Sequence, residues 1–265
     1  MHLEVAGERL HYQTWGAGPP VVLLHGFPLS GAMWRAQGEA LADGWQVVAP
    51  DFRGFGASDP PGAPISLETY ADDVLRVVDA LGLARFALGG LSMGGYVVFR
   101  LLARAAERVV AVILADTRAD PDTEEGRRRR FDAIARIERE GPDGFLADFT
   151  ATLVGATTRA HRREVLDAVR AMARRAHPRG LTAALAAMAA RPDSRPLLPR
   201  LTVPVLVVVG EEDTLSPPEV ARAMAAALPH GRLEVIPAAG HLSNLERPDV
   251  FTASVREFLE EVRGP

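Results

Sequence analysis

The chain has 265 residues, 48% of them hydrophobic and 24% charged, and at about 150 residues per domain it can form one large domain or two small ones. This composition excludes a disordered chain and a collagen, and the absence of cysteine excludes a disulfide framework, a thiolate metal site and a cysteine nucleophile. The formal net charge of −4, without a long basic stripe, gives no reason to expect a nucleic acid partner, because binding to phosphates requires clustered positive charge.

The first half of the chain alternates short apolar runs with helical patterns. The apolar runs, each typical of a strand buried on both faces, span residues 20–25, 46–50, 85–89 and 109–115. Helical periodicity lies between them, over residues 31–42, 67–81 and 93–104. Strands that alternate with helices predict a parallel sheet that is covered by helices on both faces.

The alternation stops after residue 117 and resumes near residue 203. Residues 118–199 contain several helical patterns and no comparable strand run, so we predict a helical cap there. The core domain then consists of residues 1–117 and 200–265, and it ends with strands at 203–210 and 232–236 and helices at 217–228 and 248–262. Residues 119–199 hold fifteen of the 30 arginines and twelve acidic residues, so the predicted cap is basic although the whole chain is acidic.

Four consecutive arginines, Arg127 to Arg130, lie in the predicted cap. Acidic residues precede them at positions 120, 122, 124 and 125, and these supply capping oxygens and i,i+4 partners. The pattern therefore favours a solvated helix face over an anion site or a nucleic acid interface.

The most informative segment is Gly90-Leu91-Ser92-Met93-Gly94, where a predicted strand ends and a predicted helix begins. A serine in such a sharp turn has a strained backbone, and only small residues two places before and after it let the two elements close on it. The turn projects the Ser92 hydroxyl beyond the carboxyl ends of the strands, beside the unpaired amides of the helix N-terminus. We therefore predict Ser92 as a nucleophile.

Glycine-containing segments lie at or after the ends of several predicted strands: His25-Gly26-Phe27-Pro28, Asp51 to Ser58, Gly90 to Gly94, Gly210 to Asp213, and Gly240-His241. In this order they resemble the α/β-hydrolase superfamily across nearly the whole chain, and in particular its capped carboxylesterases and 3-oxoadipate enol-lactonase-like hydrolases. The resemblance implies an α/β-hydrolase fold, with a mostly parallel central sheet, helices on both faces and a helical cap insertion. It also implies hydrolysis of a carboxylic ester or lactone.

A serine nucleophile needs a general base with a pKa near 7, oriented by a buried carboxylate. Of the seven histidines, His241 follows the last predicted strand and precedes the final helix, so it can reach Ser92, and we predict it as the base. Asp213 follows the strand at 203–210 and is the predicted acid, since the family places its carboxylate there. Asp116, after the strand at 109–115, is the alternative acid, because some relatives carry theirs at that place.

The resemblance implies an oxyanion hole formed by the backbone N–H groups of Phe27 and Met93. The side chains of Phe27, Trp34, Met93 and Leu242 are predicted to bind the substrate. The glycine-rich segment from Asp51 to Ser58 is predicted to hold the entrance loop, with Arg53 paired to Asp51.

The predicted function is that of a serine hydrolase that cleaves a small carboxylic ester through an acyl-enzyme intermediate, without a cofactor or metal. Alternatives are an enol-lactone hydrolase, a cofactor-free haloperoxidase or perhydrolase, and a non-catalytic ligand receptor on the same scaffold. A dehalogenase or epoxide hydrolase is disfavoured, since those relatives carry aspartate at the position of Ser92. The chain start lacks a secretory signal pattern and no stretch approaches the ~20 apolar residues of a membrane helix, so we expect a cytoplasmic protein without a membrane partner.

Overall fold

Eight strands form one sheet in the computed structural model, which describes residues 1–5 and 7–264. The strands are β1 (His2–Val5), β2 (Glu8–Trp15), β3 (Pro20–Leu24), β4 (Gln46–Pro50), β5 (Phe86–Leu91), β6 (Val109–Ala115), β7 (Val205–Gly210) and β8 (Gly231–Ile236). Their spatial order is β1-β2-β4-β3-β5-β6-β7-β8. The β1–β2 and β2–β4 pairs are antiparallel, and every other pair is parallel.

The α-helices pack around this sheet. They are α1 (Arg35–Leu41), α2 (Leu67–Ala80), α3 (Met93–Ala105), α4 (Glu124–Glu140), α5 (Pro142–Thr152), α6 (Ala156–His161), α7 (Arg163–Ala173), α8 (Pro178–Ala189), α9 (Pro218–Ala226), α10 (Ser243–Glu246) and α11 (Pro248–Arg263). Short 3₁₀ helices span Gly31–Trp34, Ala106–Arg108 and Arg195–Arg200. The predicted helix over 31–42 therefore divides into a 3₁₀ turn and α1.

The central strands are buried on both faces. Every residue of β5 and β7 is buried, which is why these strands are continuous apolar runs rather than alternating ones. The predicted strand at 203–210 begins two residues later, at Val205. Pro204 has no backbone N–H for a ladder bond, although its carbonyl accepts from the Val112 amide at 3.0 Å.

Helices α4 to α8 lie between β6 and β7, in the range predicted for the cap. Within this group α4 packs against α8, and α5 packs against both α4 and α7. The division into a core of residues 1–117 and 200–265 and a cap of residues 118–199 stays a prediction. Over the described residues, the helices are too short or too polar to span a lipid bilayer.

The loop after β4 is organised by the buried carboxylate of Asp51. Its Oδ1 accepts from the Gly31 amide at 2.7 Å, and its Oδ2 accepts from the Ala57 amide at 2.9 Å. Asp51 Oδ2 also lies 2.8 Å from His11 Nδ1. The predicted Arg53–Asp51 pair is wrong, because the Arg53 guanidinium lies against the carboxylates of Glu8 and Asp73. Arg53 instead forms a bidentate contact with Asp73 of α2, at 2.5 and 2.8 Å.

Candidate active site

Ser92 stands at the junction of β5 and α3 with an unusual backbone conformation, φ +53° and ψ −114°. This region is strained for a residue with a side chain, so the surrounding structure must enforce it. Glycine is required on both sides of Ser92, because neighbouring backbone atoms leave no space for a Cβ. A Cβ on Gly90 would lie 2.4 Å from the Gly94 carbonyl carbon, and a Cβ on Gly94 would lie 2.3 Å from the Leu24 carbonyl oxygen. The Gly90-to-Gly94 pattern thus corresponds to a turn that only glycine permits.

The loops after β7 and β8 bring a carboxylate and an imidazole to this serine. His241 Nε2 lies 2.8 Å from Ser92 Oγ, and its Nδ1 lies 2.8 Å from Asp213 Oδ2. The other carboxylate oxygen, Asp213 Oδ1, accepts from the amides of Leu215 and Ser216 at 2.8 and 3.0 Å. Ser92, His241 and Asp213 therefore form one continuous hydrogen-bonded chain, in which backbone amides fix the orientation of the carboxylate.

The charges around Ser92, His241 and Asp213 favour an imidazole that accepts a proton. Burial alone lowers the pKa of His241, but the charge of Asp213 and its hydrogen bond outweigh burial, so the pKa is raised above its ordinary value of 6.5. Burial alone would raise the pKa of Asp213, yet the His241 charge and the donated hydrogen bonds hold it below its ordinary range. Asp213 is therefore ionised at neutral pH and can stabilise an imidazolium ion.

Asp116, the alternative acid, lies nearby but has other partners. Its Oδ1 accepts from the Gly210 amide at 2.8 Å, and its Oδ2 lies 2.5 Å from Ser243 Oγ. Complete burial and repulsion from Asp213 raise the pKa of Asp116 to about 8. The imidazole is thus bonded to Asp213, while Asp116 fastens the end of β7 to the start of α10.

The two amides predicted for the oxyanion hole belong to segments next to Ser92. Met93 is the first residue of α3, and Phe27 lies in the loop after β3. That loop approaches the serine closely, since a Cβ on Gly26 would lie 3.5 Å from Ser92 Cβ. Within residues 1–5 and 7–264, neither the Phe27 nor the Met93 amide donates a hydrogen bond. Both donors are free to bind an oxygen atom.

Ser92 and His241 open into a cavity of about 400 Å³ beneath the helices of the predicted cap. Three phenylalanines form an aromatic wall: Phe27 lies 5.5 Å from Phe149 between ring centroids, and Phe145 stacks on Phe149 at 5.4 Å. Further apolar surface comes from cap residues Ala133, Leu153, Leu185 and Met188. The cavity is therefore suited to a small, largely apolar molecule with a reactive group at Ser92.

Part of the cavity wall is basic, because Arg118, Arg129, Arg130 and Arg191 line it together with Asp122. Arg118 pairs with Asp120 at 3.1 Å and Arg129 pairs with Glu125. Arg191 is buried, contacts Asp122 at 2.5 Å and stacks over the Tyr96 ring at 4.4 Å. Arg130 also pairs with Asp122 at 2.5 Å, so one negative charge serves two guanidinium groups. The prediction of a solvated face fits Arg127 to Arg129, which are exposed, but not Arg130.

Three predicted pocket side chains lie elsewhere. Trp34 is fully buried and packs against Phe251 of α11, with ring centroids 5.9 Å apart, because its 3₁₀ helix faces that helix. The side chains of Met93 and Leu242 are also buried, and they do not line the described cavity. Phe27 does line it. The wall residues that the sequence did not indicate come mostly from the cap, where the i,i+4 pair of Phe145 and Phe149 was the available signal.

The part of the chain that the structure describes contains no group of three His, Asp or Glu side chains able to hold a metal ion. The expectation that the reaction needs neither cofactor nor metal stays a prediction.

Comparisons with known proteins give a consistent picture. A family model described as alpha/beta hydrolase fold matches residues 19–248. A thermophilic esterase from Thermogutta terrifontis, solved with malate bound, is 42% identical, with a TM-score of 0.95 over 99% of this chain and 97% of its own. The enol-lactonase from Burkholderia xenovorans LB400 is 32% identical, with a TM-score of 0.90 over 98% and 99%. A bromoperoxidase from Bacillus anthracis is 26% identical, with a TM-score of 0.86 over 95% of each chain.

Proposed function

The chain belongs to the alpha/beta hydrolase fold family, and on that premise we propose that it is a serine hydrolase that cleaves small carboxylic esters through an acyl-enzyme intermediate. The observation that carries the proposal is the hydrogen-bonded chain from Asp213 through His241 to Ser92, with both contacts at 2.8 Å. The likeness to a thermophilic esterase at 42% identity supports it.

In the first half of the reaction, Ser92 Oγ attacks the ester carbonyl carbon while its proton passes to His241 Nε2. The carbonyl oxygen becomes an oxyanion, which accepts hydrogen bonds from the Phe27 and Met93 amides. The intermediate then collapses, the bond to the alcohol oxygen breaks, and His241 donates its proton to that oxygen. The alcohol leaves, and the acyl group stays on Ser92 as an ester.

The second half repeats these steps with water as the nucleophile. His241 Nε2 takes a proton from water as the water oxygen attacks the acyl carbon, and the same two amides hold the oxyanion. When the intermediate collapses, the proton returns to Ser92 Oγ and the carboxylic acid is released. Throughout, Asp213 accepts from Nδ1–H, which keeps Nε2 free to accept a proton and stabilises the imidazolium ion.

A second candidate, hydrolysis of an enol-lactone that carries a carboxylate, is favoured by the basic wall of the cavity. Arg130 and Arg191 share the single carboxylate of Asp122, which leaves an excess of one positive charge that an anionic substrate group would balance. Arg118 and Arg129 are already paired with Asp120 and Glu125. The chemistry is the same except that the leaving oxygen stays attached to the acyl group. The similar enol-lactonase from Burkholderia xenovorans supports this candidate.

Hydrolysis rates for esters, and for lactones with and without a carboxylate, test both candidates. We expect the chain to hydrolyse short-chain nitrophenyl esters, and the second candidate predicts a higher kcat/KM for carboxylate-bearing lactones than for neutral ones. Ser92→Ala is expected to abolish turnover above a residual acceleration of about 10³- to 10⁴-fold over water. Ser254→Ala on α11 is the matched control, since its hydroxyl contacts only the Val250 carbonyl of the same helix. Full activity in Ser92→Ala would refute the proposal.

A further inference from the structure

Glu246 is a fully buried carboxylate next to the loop that carries the proposed base. It is the last residue of α10, five positions after His241. Its Oε1 accepts from the Gly240 amide at 2.9 Å and from the Leu242 amide at 3.3 Å. These are the amides immediately before and after His241, so one carboxylate oxygen holds the backbone on both sides of the imidazole.

The second oxygen of the same carboxylate reaches a different part of the chain. Glu246 Oε2 accepts from the Gly155 amide at 2.8 Å, in the turn between α5 and α6. Gly155 lies in the range predicted for the cap, whereas the His241 loop belongs to the sheet domain. The carboxylate therefore bridges the two.

The backbones joined by this bridge are in direct contact. A Cβ on Gly240 would lie 2.2 Å from the Gly155 nitrogen, and a Cβ on Gly155 would lie 2.9 Å from the Gly240 nitrogen. Arg162 of the predicted cap adds a second connection, since its guanidinium donates to the carbonyl of Glu246 and, at 3.5 Å, to that of Ala238. Any shift of this turn is thus transmitted to the His241 loop.

We propose that Glu246 is a positioning residue for the reaction, which sets the place of His241 by bonding its loop to the turn at Gly155. The inference rests on the proposed function, because it takes His241 as the base that acts on Ser92. An error of about 1 Å in the place of a reacting group lowers rate about 10²-fold, so a residue without contact to substrate can control turnover in this way.

The charge of Glu246 gives the inference a second readout. Three carboxylates from different elements face the imidazole: Asp213 after β7, Asp116 after β6, and Glu246 on α10. Burial lowers the pKa of His241, and the charges of Asp213 and Glu246 raise it. Asp116 raises it only when ionised, and burial together with Asp213 raises the pKa of Asp116 itself. Removal of the Glu246 charge destabilises the imidazolium ion, so the neutral, active imidazole persists to lower pH.

Glu246→Gln is the direct test, because it keeps the side-chain shape but removes the charge and replaces one acceptor oxygen by an NH₂ group. That NH₂ must face either Gly155 N–H or the amides at 240 and 242, all of which are donors. For a short nitrophenyl ester we expect kcat to fall about 10- to 100-fold with KM changed less than about threefold. We also expect the acid limb of kcat/KM to move to lower pH.

Glu212→Gln is the matched control. Glu212 bonds the Thr157 amide at 2.8 Å, two residues from Gly155, but its side chain does not hold the amides beside His241. It is expected to keep kcat within about threefold of the parent chain. Equal losses in the two variants, or a parental kcat and acid limb in Glu246→Gln, would overturn the inference.

Gly155→Ala provides an independent test if Glu246→Gln loses its far-ultraviolet circular dichroism. Its Cβ would lie 2.4 Å from Glu212 Oε2 and 2.9 Å from the Gly240 nitrogen, while Glu246 stays intact. A fall in kcat that Glu212→Gln does not share supports the inference, and an unchanged kcat overturns it. If the parent chain hydrolyses no ester, the proposed function fails, and the rate at which a fluorophosphonate labels Ser92 then compares the variants. Unchanged labelling in Glu246→Gln would still overturn the inference.

Discussion

The choice between Asp213 and Asp116 as partner of the imidazole gives the sharpest test of a single contact. In Asp213→Asn, the amide oxygen is expected to stay where Oδ1 is now, because two backbone N–H groups donate to that place. The NH₂ group then faces His241 Nδ1. Since an NH₂ can only donate there, the proton moves to Nε2, and the imidazole can no longer accept a proton from Ser92.

This loss of the correct tautomer is expected to lower kcat about 10⁴-fold, about 5.4 kcal/mol at about 1.36 kcal/mol per decade. Asp116→Asn is expected to lower it less than about tenfold. The hydrogen bonds of Asp116 go to Gly210 and Ser243, not to the imidazole. Burial and the charge of Asp213 raise its pKa, which favours the protonated acid that the neutral amide resembles. Asn can still accept from the Gly210 amide and donate to Ser243 Oγ. Its NH₂ group cannot accept from the Ser243 amide, as Asp116 Oδ2 does at 3.2 Å, and this accounts for the small expected loss.

The assay is hydrolysis of a short nitrophenyl ester at pH 7 to 8 by both variants, with thermal unfolding measured to show that each is folded. The reasoning is refuted if Asp213→Asn keeps more than about a tenth of the parental kcat, or if Asp116→Asn loses as much as Asp213→Asn. The second result would show that turnover depends on the carboxylate after β6 as much as on Asp213.

The raised pKa of His241 predicts that kcat/KM rises with pH through a midpoint above 6.5, because the protonated imidazole cannot accept a proton from Ser92. A pH profile with a midpoint below 6.5 would contradict this prediction. Gly94→Ala places a Cβ 2.3 Å from the Leu24 carbonyl oxygen, so we expect the free energy of unfolding in urea to fall by about 2 kcal/mol or more. Unchanged stability would argue against the close turn. Arg130→Met is expected to raise KM about tenfold for a carboxylate-bearing ester and to leave KM for a neutral ester unchanged, with the exposed Arg163→Met as the control. Equal effects on both esters would show that Arg130 does not recognise the carboxylate.

The predicted fold class is confirmed, and its central strands explain why. Strands β3 to β7 are covered on both faces, so each one is a largely apolar run. Such a run can be recognised in the sequence without knowing which strands lie beside it. The last long strand is predicted to begin at residue 203 and begins at Val205. Pro204 has no backbone N–H to donate to the neighbouring strand, and hydrophobicity alone does not show this.

The candidate site was predictable where it depends on strand ends and turn geometry. Ser92, Asp213 and His241 each follow a strand of the same sheet, and parallel strands bring such positions to one edge. Their distances could not be predicted, and their catalytic roles stay predictions.

The cavity wall was not predictable, since it depends on how separate helices pack. Trp34 packs on Phe251 of α11 and Arg53 pairs with Asp73. Both partners are distant in the sequence, so neither contact could be predicted from it. The place of Arg130 on the wall likewise depends on Asp122, which lies eight residues before it.

Mass spectrometry of the protein quenched during turnover of a slowly hydrolysed ester tests the proposed chemistry most directly. The account predicts that the acyl mass is found on the peptide containing Ser92, that it disappears when the substrate is exhausted, and that Ser92→Ala never acquires it. An acyl group on another residue, or undiminished turnover without any acylated peptide, would contradict the acyl-enzyme route.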